Sequence, residues 1–216
     1  DVARDHGRLD APVIRARGIT KSFPGVLALD TVDFELVSGE IHALAGENGS
    51  GKSTFAKILY GALSQDDGTI EIDGEALTFG SPGEALEHGI VAISQELTLA
   101  PTLSVAENIL MGRLPVRRGV VDWKAARALV GPELEQLGVH VDVRERVGDL
   151  SIELQQEVEI ARAVSIRSRV LIFDEATSSL SEAATERLLE KMEQLRAQGV
   201  AIIFISHRLR ELYACA

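Results

Sequence analysis

The chain has 216 residues, enough for one domain with a full hydrophobic core and too few for two domains of ordinary size. Its 45% hydrophobic and 25% charged residues are ordinary for a globular protein and argue against a disordered or fibrous one. The net charge of −11 repels phosphate groups, so neither nucleic acid nor anionic lipid is expected as a direct partner.

Apolar runs in the sequence are short. A membrane-spanning helix needs roughly 20 apolar residues, whereas the longest run here, residues 200–205, has the length of a strand. The N-terminal residues lack the basic and apolar segments of a secretory signal. The single cysteine, Cys215, has no partner for an internal disulfide, which favours a reducing compartment. We therefore expect a soluble, cytosolic protein that reaches a membrane only through a partner.

The first third of the chain alternates β-type runs with turn residues. Asp73-Gly74 lies between two such runs, a strong indication of a hairpin. Residues 41–45 are a strand-like apolar run, and residues 54–59 are a helical one. A further apolar run, residues 90–93, leads to Ser94-Gln95. The runs at 41–45 and 90–93 predict strands that end beside glycine or polar residues, and the run at 54–59 predicts a helix.

The remainder is predicted to be helical up to about residue 148, then to alternate helices with strands. Ser104 and Glu107 form a capping-box pattern, and Asp122 begins a helix that Gly138 ends and Gly131-Pro132 interrupts. Helices are predicted from about residues 154 and 181, and strands at 170–173 and 200–205. Apolar strands that alternate with helices indicate a parallel sheet covered on both faces. The sequence thus predicts one α/β domain with a β-rich edge and a helical insertion.

Residues 46–53 match the pattern G-x-x-x-x-G-K-[ST]. Glycines allow the backbone to wrap phosphate groups with its N–H groups pointing inward, while Lys52 reaches the β and γ phosphates and Ser53 ligates Mg²⁺. The strand before this loop and the helix after it disfavour a turn that binds nothing. We therefore predict a nucleotide site that uses Mg²⁺.

Polar residues follow three of the predicted buried strands. Asp174 ends the apolar run 170–173 and is predicted to hold Mg²⁺ through water, and Glu175 to orient or deprotonate the attacking water. Gln95 follows another strand and is a candidate for contact with Mg²⁺ or the water, and His207 follows a third. Ligands bind at this edge of open α/β sheets.

Taken together, these motifs resemble the nucleotide-binding domain of ABC transporters, from about residue 13 to residue 216. That resemblance implies a P-loop NTPase (RecA-like) core with a mostly parallel sheet, an N-terminal antiparallel β subdomain, and a helical subdomain at about residues 98–165. It implies that Phe23 stacks on adenine, that His207 senses the γ-phosphate, and that residues 178–181 face a partner domain. The predicted ATP-binding residues are Phe23, Gly46, Glu47, Asn48, Gly49, Ser50, Gly51, Lys52, Ser53 and Thr54; the predicted Mg²⁺ site is Ser53, Gln95 and Asp174; the predicted catalytic set is Glu175, His207 and Gln95.

Several stretches, including residues 103–109, 158–163 and 205–209, are more similar to the branch of this family that imports simple sugars such as ribose. The resemblance implies an ATPase at the inner face of the cell membrane, coupled to transmembrane permease subunits and indirectly to a sugar-binding protein. It implies a second ABC domain in tandem on the native chain, of which these residues are the first, shortened before its last strands.

The signature motif departs from the family. It comprises Leu150, Ser151, Ile152, Glu153 and Leu154, where the family has Leu-Ser-Gly-Gly-Gln. In the family this motif acts on the ATP of the partner domain, so a carboxylate at position 153 threatens that ATP and not the one at Lys52. A carboxylate about 4 Å from a phosphate charge costs up to about 4 kcal/mol at an effective dielectric of 20. Two interpretations stay open: Glu153 points away, or one site of an asymmetric pair is impaired.

Two other functions therefore remain as alternatives. One is a regulatory half that binds ATP and hydrolyses little, which Glu153 favours and the Asp174, Glu175 and His207 set disfavours. The other is a soluble ABC ATPase that acts away from a membrane, which the acidic charge and the sugar-branch similarities disfavour.

Overall fold

The computed structural model describes residues 12–47, 49–94, 97–166, 168–208 and 210–212. Its strands are β1 (Ile14–Phe23), β2 (Val26–Leu36), β3 (Ile41–Leu44), β4 (Asp67–Ile72), β5 (Glu75–Leu77), β6 (Ile90–Ile93), β7 (Val116–Arg117), β8 (Val120–Val121), β9 (Val170–Asp174) and β10 (Ala201–Ile205). Its helices are α1 (Lys52–Leu59), α2 (Pro82–Glu87), α3 (Val105–Ile109), α4 (Trp123–Gln136), α5 (Ile152–Ser165) and α6 (Glu182–Ala197). In the part of the chain so described, no helix is long and apolar enough to cross a bilayer.

A parallel sheet of order β3-β10-β9-β6 forms the centre of the domain. Ile205 at the end of β10 lies opposite both Leu44 of β3 and Asp174 of β9, and Ile93 of β6 lies opposite Phe173. The four strands therefore end at one edge. The predicted parallel sheet is confirmed.

Both faces of this sheet are covered. In β10, Ile203 and Ile205 belong to a core cluster that contains Phe55 of α1, whereas Ile202 and Phe204 belong to a second cluster on the other face, together with residues of α6. Burying each such side chain contributes about 1.5–3 kcal/mol. This burial on two sides explains why the strands are continuous apolar runs instead of alternating ones.

A second, antiparallel sheet of order β2-β1-β4-β5 packs on the first core cluster. Asp73 and Gly74 join β4 to β5 with φ angles of 52° and 82°, the two positive values that a type I′ hairpin turn requires. The predicted hairpin is confirmed, and this sheet is the antiparallel β subdomain.

The helices α3, α4 and α5 enclose a third hydrophobic cluster, which includes Val105, Val130, Leu134 and Val158. Ser104 and Glu107 make the predicted capping box at the start of α3. Asp122 accepts a hydrogen bond from the backbone N–H of Ala125 at the start of α4, as its capping role requires. These caps fix where two helices of this cluster begin.

Two predictions for this region are wrong. α4 continues through Gly131 and Pro132 without a break. Proline removes one helical hydrogen bond, but the carbonyl that loses its donor belongs to Ala128 on the exposed face, where solvent can hydrogen-bond to it. Residues 116–121 form the hairpin β7–β8 instead of a helix. Its turn, Arg118-Gly119, has φ angles of 55° and 81°, so turn chemistry overrides the helical expectation.

Candidate nucleotide-binding and hydrolysis site

The glycine-rich loop connects β3 to α1. The Nζ atom of Lys52 donates hydrogen bonds to the carbonyl oxygens of Gly46 at 2.8 Å and Glu47 at 2.9 Å, and to Oγ of Ser50 at 3.2 Å. The ammonium group is thus held over the loop by weak neutral acceptors, which a charged phosphate replaces favourably. Asn48 lies outside the described residues.

Gly51 is the point at which this loop meets the antiparallel sheet. Its φ is +87°, and a Cβ atom built on it lies 2.5 Å from the carbonyl oxygen of Ala28 and 2.8 Å from Cδ2 of Leu29, both in β2. Only glycine fits this backbone conformation and this close approach. α1 begins directly afterwards, with Ser53 and Thr54 in its first turn, so the unpaired N–H groups of the helix start lie beside the loop.

Ser53 and Asp174 are in direct contact although 121 positions separate them in the sequence: Oγ of Ser53 donates a hydrogen bond to Oδ1 of Asp174 at 2.8 Å. The Asp174 side chain is buried, and burial is the main cause that raises its pKa, with the Glu175 carboxylate adding to the effect. A hydroxyl and a carboxylate are hard oxygen donors of the kind that Mg²⁺ prefers, and a divalent cation offsets the cost of keeping Asp174 ionised.

No cluster of three or more His, Cys, Asp or Glu suited to a metal occurs among the residues that the structure describes. The Ser53–Asp174 pair therefore fits a cation that takes its remaining ligands from water and a phosphate substrate, as Mg²⁺ usually does.

Glu175 and His207 lie at the same edge of the sheet. Nδ1 of His207 is 3.9 Å from Oε2 of Glu175, and the backbone N–H of Glu175 donates to the carbonyl of Ile205 at 3.0 Å. Glu175 has a φ of +53°, which turns the chain sharply away from β9. The side chain of Glu175 is 22% exposed and that of His207 53%, so a water molecule can reach both.

The third predicted catalytic residue, Gln95, lies outside the described residues. β6 ends two positions earlier, at Ile93. Downstream, the backbone N–H and the hydroxyl of Thr98 both donate to Oε1 of Glu159, at 3.0 and 2.5 Å. Glu159 is only 2% exposed and pairs with Arg162. This contact between Glu159 and Thr98 was not predicted from the sequence, although an acidic residue among the buried apolar residues of α5 is an indication of such a contact.

Phe23 ends β1 at the tip of the β1–β2 hairpin, and its side chain is 43% exposed. Nζ of Lys21 lies 5.9 Å from the centre of its ring. The same hairpin supplies Ala28 and Leu29, which contact Gly51 at the phosphate loop. An aromatic ring with a free face on this hairpin is suited to stacking on a flat base.

The signature motif forms the start of α5. Ser151 is the N-cap and accepts from the backbone N–H of Leu154, Leu150 is buried, and Ile152 is 62% exposed. Oε1 of Glu153 accepts a hydrogen bond from the backbone N–H of Ser181 at 2.9 Å. Hydrogen bonds from Ser181 lower the pKa of Glu153.

The segment 178–181 therefore lies beside the signature motif of the same chain. Because Ser181 is the N-cap of α6, the carboxylate of Glu153 also lies at the positive end of that helix. Each segment has an exposed residue, Ile152 on one and Ser178 on the other.

A family model described as ABC transporter matches residues 29–178. The ribose import ATP-binding protein RbsA 1 of Rubrobacter xylanophilus is 51% identical over 201 residues, which are 93% of this chain and 40% of that protein. A putative ribose/galactose/methyl galactoside import ATP-binding protein of Burkholderia ambifaria is 48% identical over 93% of this chain and 39% of its own length. The chain thus spans about two fifths of these curated relatives.

Solved structures of ABC transporter cassettes have the fold of this chain. The ADP conformation of an ATP-binding cassette of an ABC transporter superposes with a TM-score of 0.80 at 25% identity, covering 95% of this chain and 85% of that one. A dimeric cassette bound to ADP and Pi has a TM-score of 0.82 at 22% identity, with 93% and 90% covered, and shows the same fold. The predicted fold class is confirmed.

Proposed function

Because the chain belongs to the ABC transporter family, we propose that it binds Mg-ATP and hydrolyses it to power import of a simple sugar through a membrane permease. The observation that carries the proposal is the contact of Ser53 with Asp174 beside a lysine held over a glycine-rich loop. The curated relatives named for ribose or galactose import support the sugar.

In this proposal the loop residues 46–53 and the start of α1 bind the phosphates, and Phe23 stacks on the base. Lys52 exchanges its carbonyl acceptors for phosphate oxygens. Ser53, Asp174 and Gln95 hold Mg²⁺, which screens the phosphate charge when bound. Lys52, Ser53 and Asp174 are positioned by the aligned strand ends of the parallel sheet and by α1.

Hydrolysis is assigned to Glu175, which orients the attacking water and accepts its proton. The left-handed backbone at Glu175 directs its carboxylate away from the buried strand and toward His207. His207, partly exposed at the neighbouring strand end, contacts the γ-phosphate and so distinguishes ATP from ADP. The side chains of Glu175 and His207, which follow adjacent strands, are thereby held 3.9 Å apart.

The partner is inferred from the surface at the exposed residues Ser151, Ile152, Ser178 and Ser181. We assign it to a second ABC domain, so that the signature motif acts on the ATP of that domain. More than half of each relative's length lies outside the shared region, which is consistent with a second domain in tandem. Permease subunits hold the pair at the inner face of the membrane, and a sugar-binding protein delivers the substrate. The negative charge of the chain disfavours nucleic acid.

The test uses the domain joined to its partner half and permease. Lys52→Ala is expected to lose Mg-ATP binding, because one charged hydrogen-bond donor to the phosphates is removed. Glu175→Gln is expected to bind Mg-ATP and to hydrolyse it at least about 100-fold more slowly. Lys124→Ala, an exposed lysine on α4, is the control for lost charge. Unchanged turnover in Glu175→Gln removes this residue from its assigned role.

A second candidate, a regulatory half that binds ATP and hydrolyses little, is favoured by Glu153 in place of the signature glycine. Its carboxylate is engaged by Ser181 of its own chain, which supports the active interpretation instead. Under the regulatory hypothesis, Glu153→Gly raises the ATPase activity of the assembled pair.

A further inference from the structure

A buried carboxylate lies behind the proposed hydrolytic groups and takes no part in the chemistry assigned to them. Glu211 is 5% exposed. Its Oε2 atom accepts hydrogen bonds from the hydroxyls of Thr177 at 2.8 Å and Ser206 at 2.5 Å. Its Oε1 atom is 3.2 Å from a guanidinium nitrogen of Arg208. In the part of the chain that the structure describes, the partners of this carboxylate come from two loops.

The first loop follows β9. It begins at Glu175, passes through Thr177, which is 2% exposed, and ends at Ser181, the N-cap of α6. The second follows β10 and consists of Ser206, His207 and Arg208. Arg208 joins the two loops a second time, since its other guanidinium nitrogen donates to the carbonyl of Ser178 at 3.1 Å.

His207 lies between the two residues that Glu211 holds. Its own side chain is 53% exposed, and its Nδ1 atom lies 3.9 Å from Oε2 of Glu175. The backbone that carries this imidazole is held on one side by Ser206 and on the other by Arg208, both of which bind Glu211. The backbone N–H of Arg208 also donates to Oγ of Ser206 at 3.0 Å, which closes the turn.

We propose that Glu211 is a positioning residue: its carboxylate holds the 206–208 turn against the 175–178 segment, so that His207 reaches the γ-phosphate while Glu175 holds the water. This inference rests on the proposed function. Glu211 touches neither substrate nor metal, and it acts through His207. A displacement of about 1 Å at a catalytic group costs up to about 100-fold in rate, so loss of this anchor reduces turnover strongly.

Two substitutions at this position differ in what they remove. Glu211→Ala leaves the two buried hydroxyls and Arg208 without their acceptor, and it destabilises the fold as well. Glu211→Gln has the same shape, and its one amide oxygen serves either the hydroxyls or Arg208 but not both. Glu182→Gln is the matched control, because Glu182 is an exposed carboxylate at the start of α6 that lies 3.8 Å from Arg210.

The assay measures kcat per bound nucleotide in the domain joined to its partner half and permease, together with the affinity for Mg-ADP, which has no γ-phosphate. We expect Glu211→Gln to lower kcat about tenfold and to change Mg-ADP affinity less than twofold. Glu182→Gln is expected to match the wild type. A purely structural role lowers the melting temperature and the active fraction, and leaves kcat per bound nucleotide unchanged.

The decisive comparison is made in a His207→Ala background. If Glu211 acts through His207, adding Glu211→Gln to His207→Ala lowers kcat no further. Independent, multiplied losses overturn the proposal, as does a kcat of Glu211→Gln within twofold of the wild type. A wild-type complex that hydrolyses no Mg-ATP contradicts the proposed function itself, which separates the two failures.

Discussion

The glycine at position 51 provides a quantitative test of how the phosphate loop is held. Substituting alanine forces a non-glycine residue to a φ of +87°, which costs about 1–3 kcal/mol. The new methyl group also lies 2.5 Å from the carbonyl oxygen of Ala28, so that the loop or β2 must move by about half an ångström to reach even a tight contact. Overpacking of this kind adds about 1–3 kcal/mol.

The matched control is Gly49→Ala. Its φ is +84°, and among the described residues other than its chain neighbours no atom lies within 4 Å of the new methyl group, so it carries the backbone cost alone. Urea unfolding without nucleotide is expected to show a loss of about 2–6 kcal/mol for Gly51→Ala and about 1–3 kcal/mol for Gly49→Ala.

Nucleotide titration of the same variants completes the test. Mg-ATP is expected to bind Gly51→Ala at least about tenfold more weakly than the wild type, because the displaced loop no longer directs its N–H groups at the phosphates. Equal losses of stability in the two variants would show that contact with β2 does not hold the loop, and would refute the reasoning.

Three further substitutions test other parts of the site. Glu159→Ala is expected to lower the free energy of unfolding by about 3 kcal/mol in urea titration, whereas Glu135→Ala, on the exposed face of α4, changes it little. Burial raises the pKa of Asp174 above its unfolded value, so the ionised form opposes folding near neutral pH, and stability increases as pH falls through the raised pKa toward the ordinary value. Asp174→Asn is therefore expected to raise the melting temperature without nucleotide and to reduce the further rise on adding Mg-ATP. Glu153→Gly is expected not to raise the ATPase activity of the assembled pair, because its carboxylate bonds to Ser181; a severalfold rise in phosphate release would contradict that.

The sequence was most informative where local chemistry decides the structure. The hairpin at Asp73-Gly74, the capping box at Ser104 and the buried strand before Asp174 each depend on residues within a few positions, and each was predicted correctly. The pattern at 46–53 is local as well, and its role in binding a nucleotide stays a prediction. Its placement beside Asp174 followed from the general rule that parallel strands end at one edge.

What the sequence did not predict depends on packing between distant segments. The direction of the Glu153 side chain is determined by Ser181, and the roles of Glu159 and Glu211 by partners on other elements. Pro132 failed as a helix breaker because the site where it removes a hydrogen bond faces solvent. Predicting these contacts requires knowing which faces of the helices and strands pack together, and the periodicity of the sequence alone does not provide that information.

The positive φ of Glu175 has a consequence for attempts to engineer this domain. A glutamate in the left-handed region stores about 1–3 kcal/mol of backbone strain, which glycine relieves. The most heat-resistant variants at this position are thus the ones that have lost the proposed catalytic base. Selection of a mutant library by thermal survival alone is expected to enrich inactive proteins, and directed evolution of this domain therefore needs turnover as a second criterion.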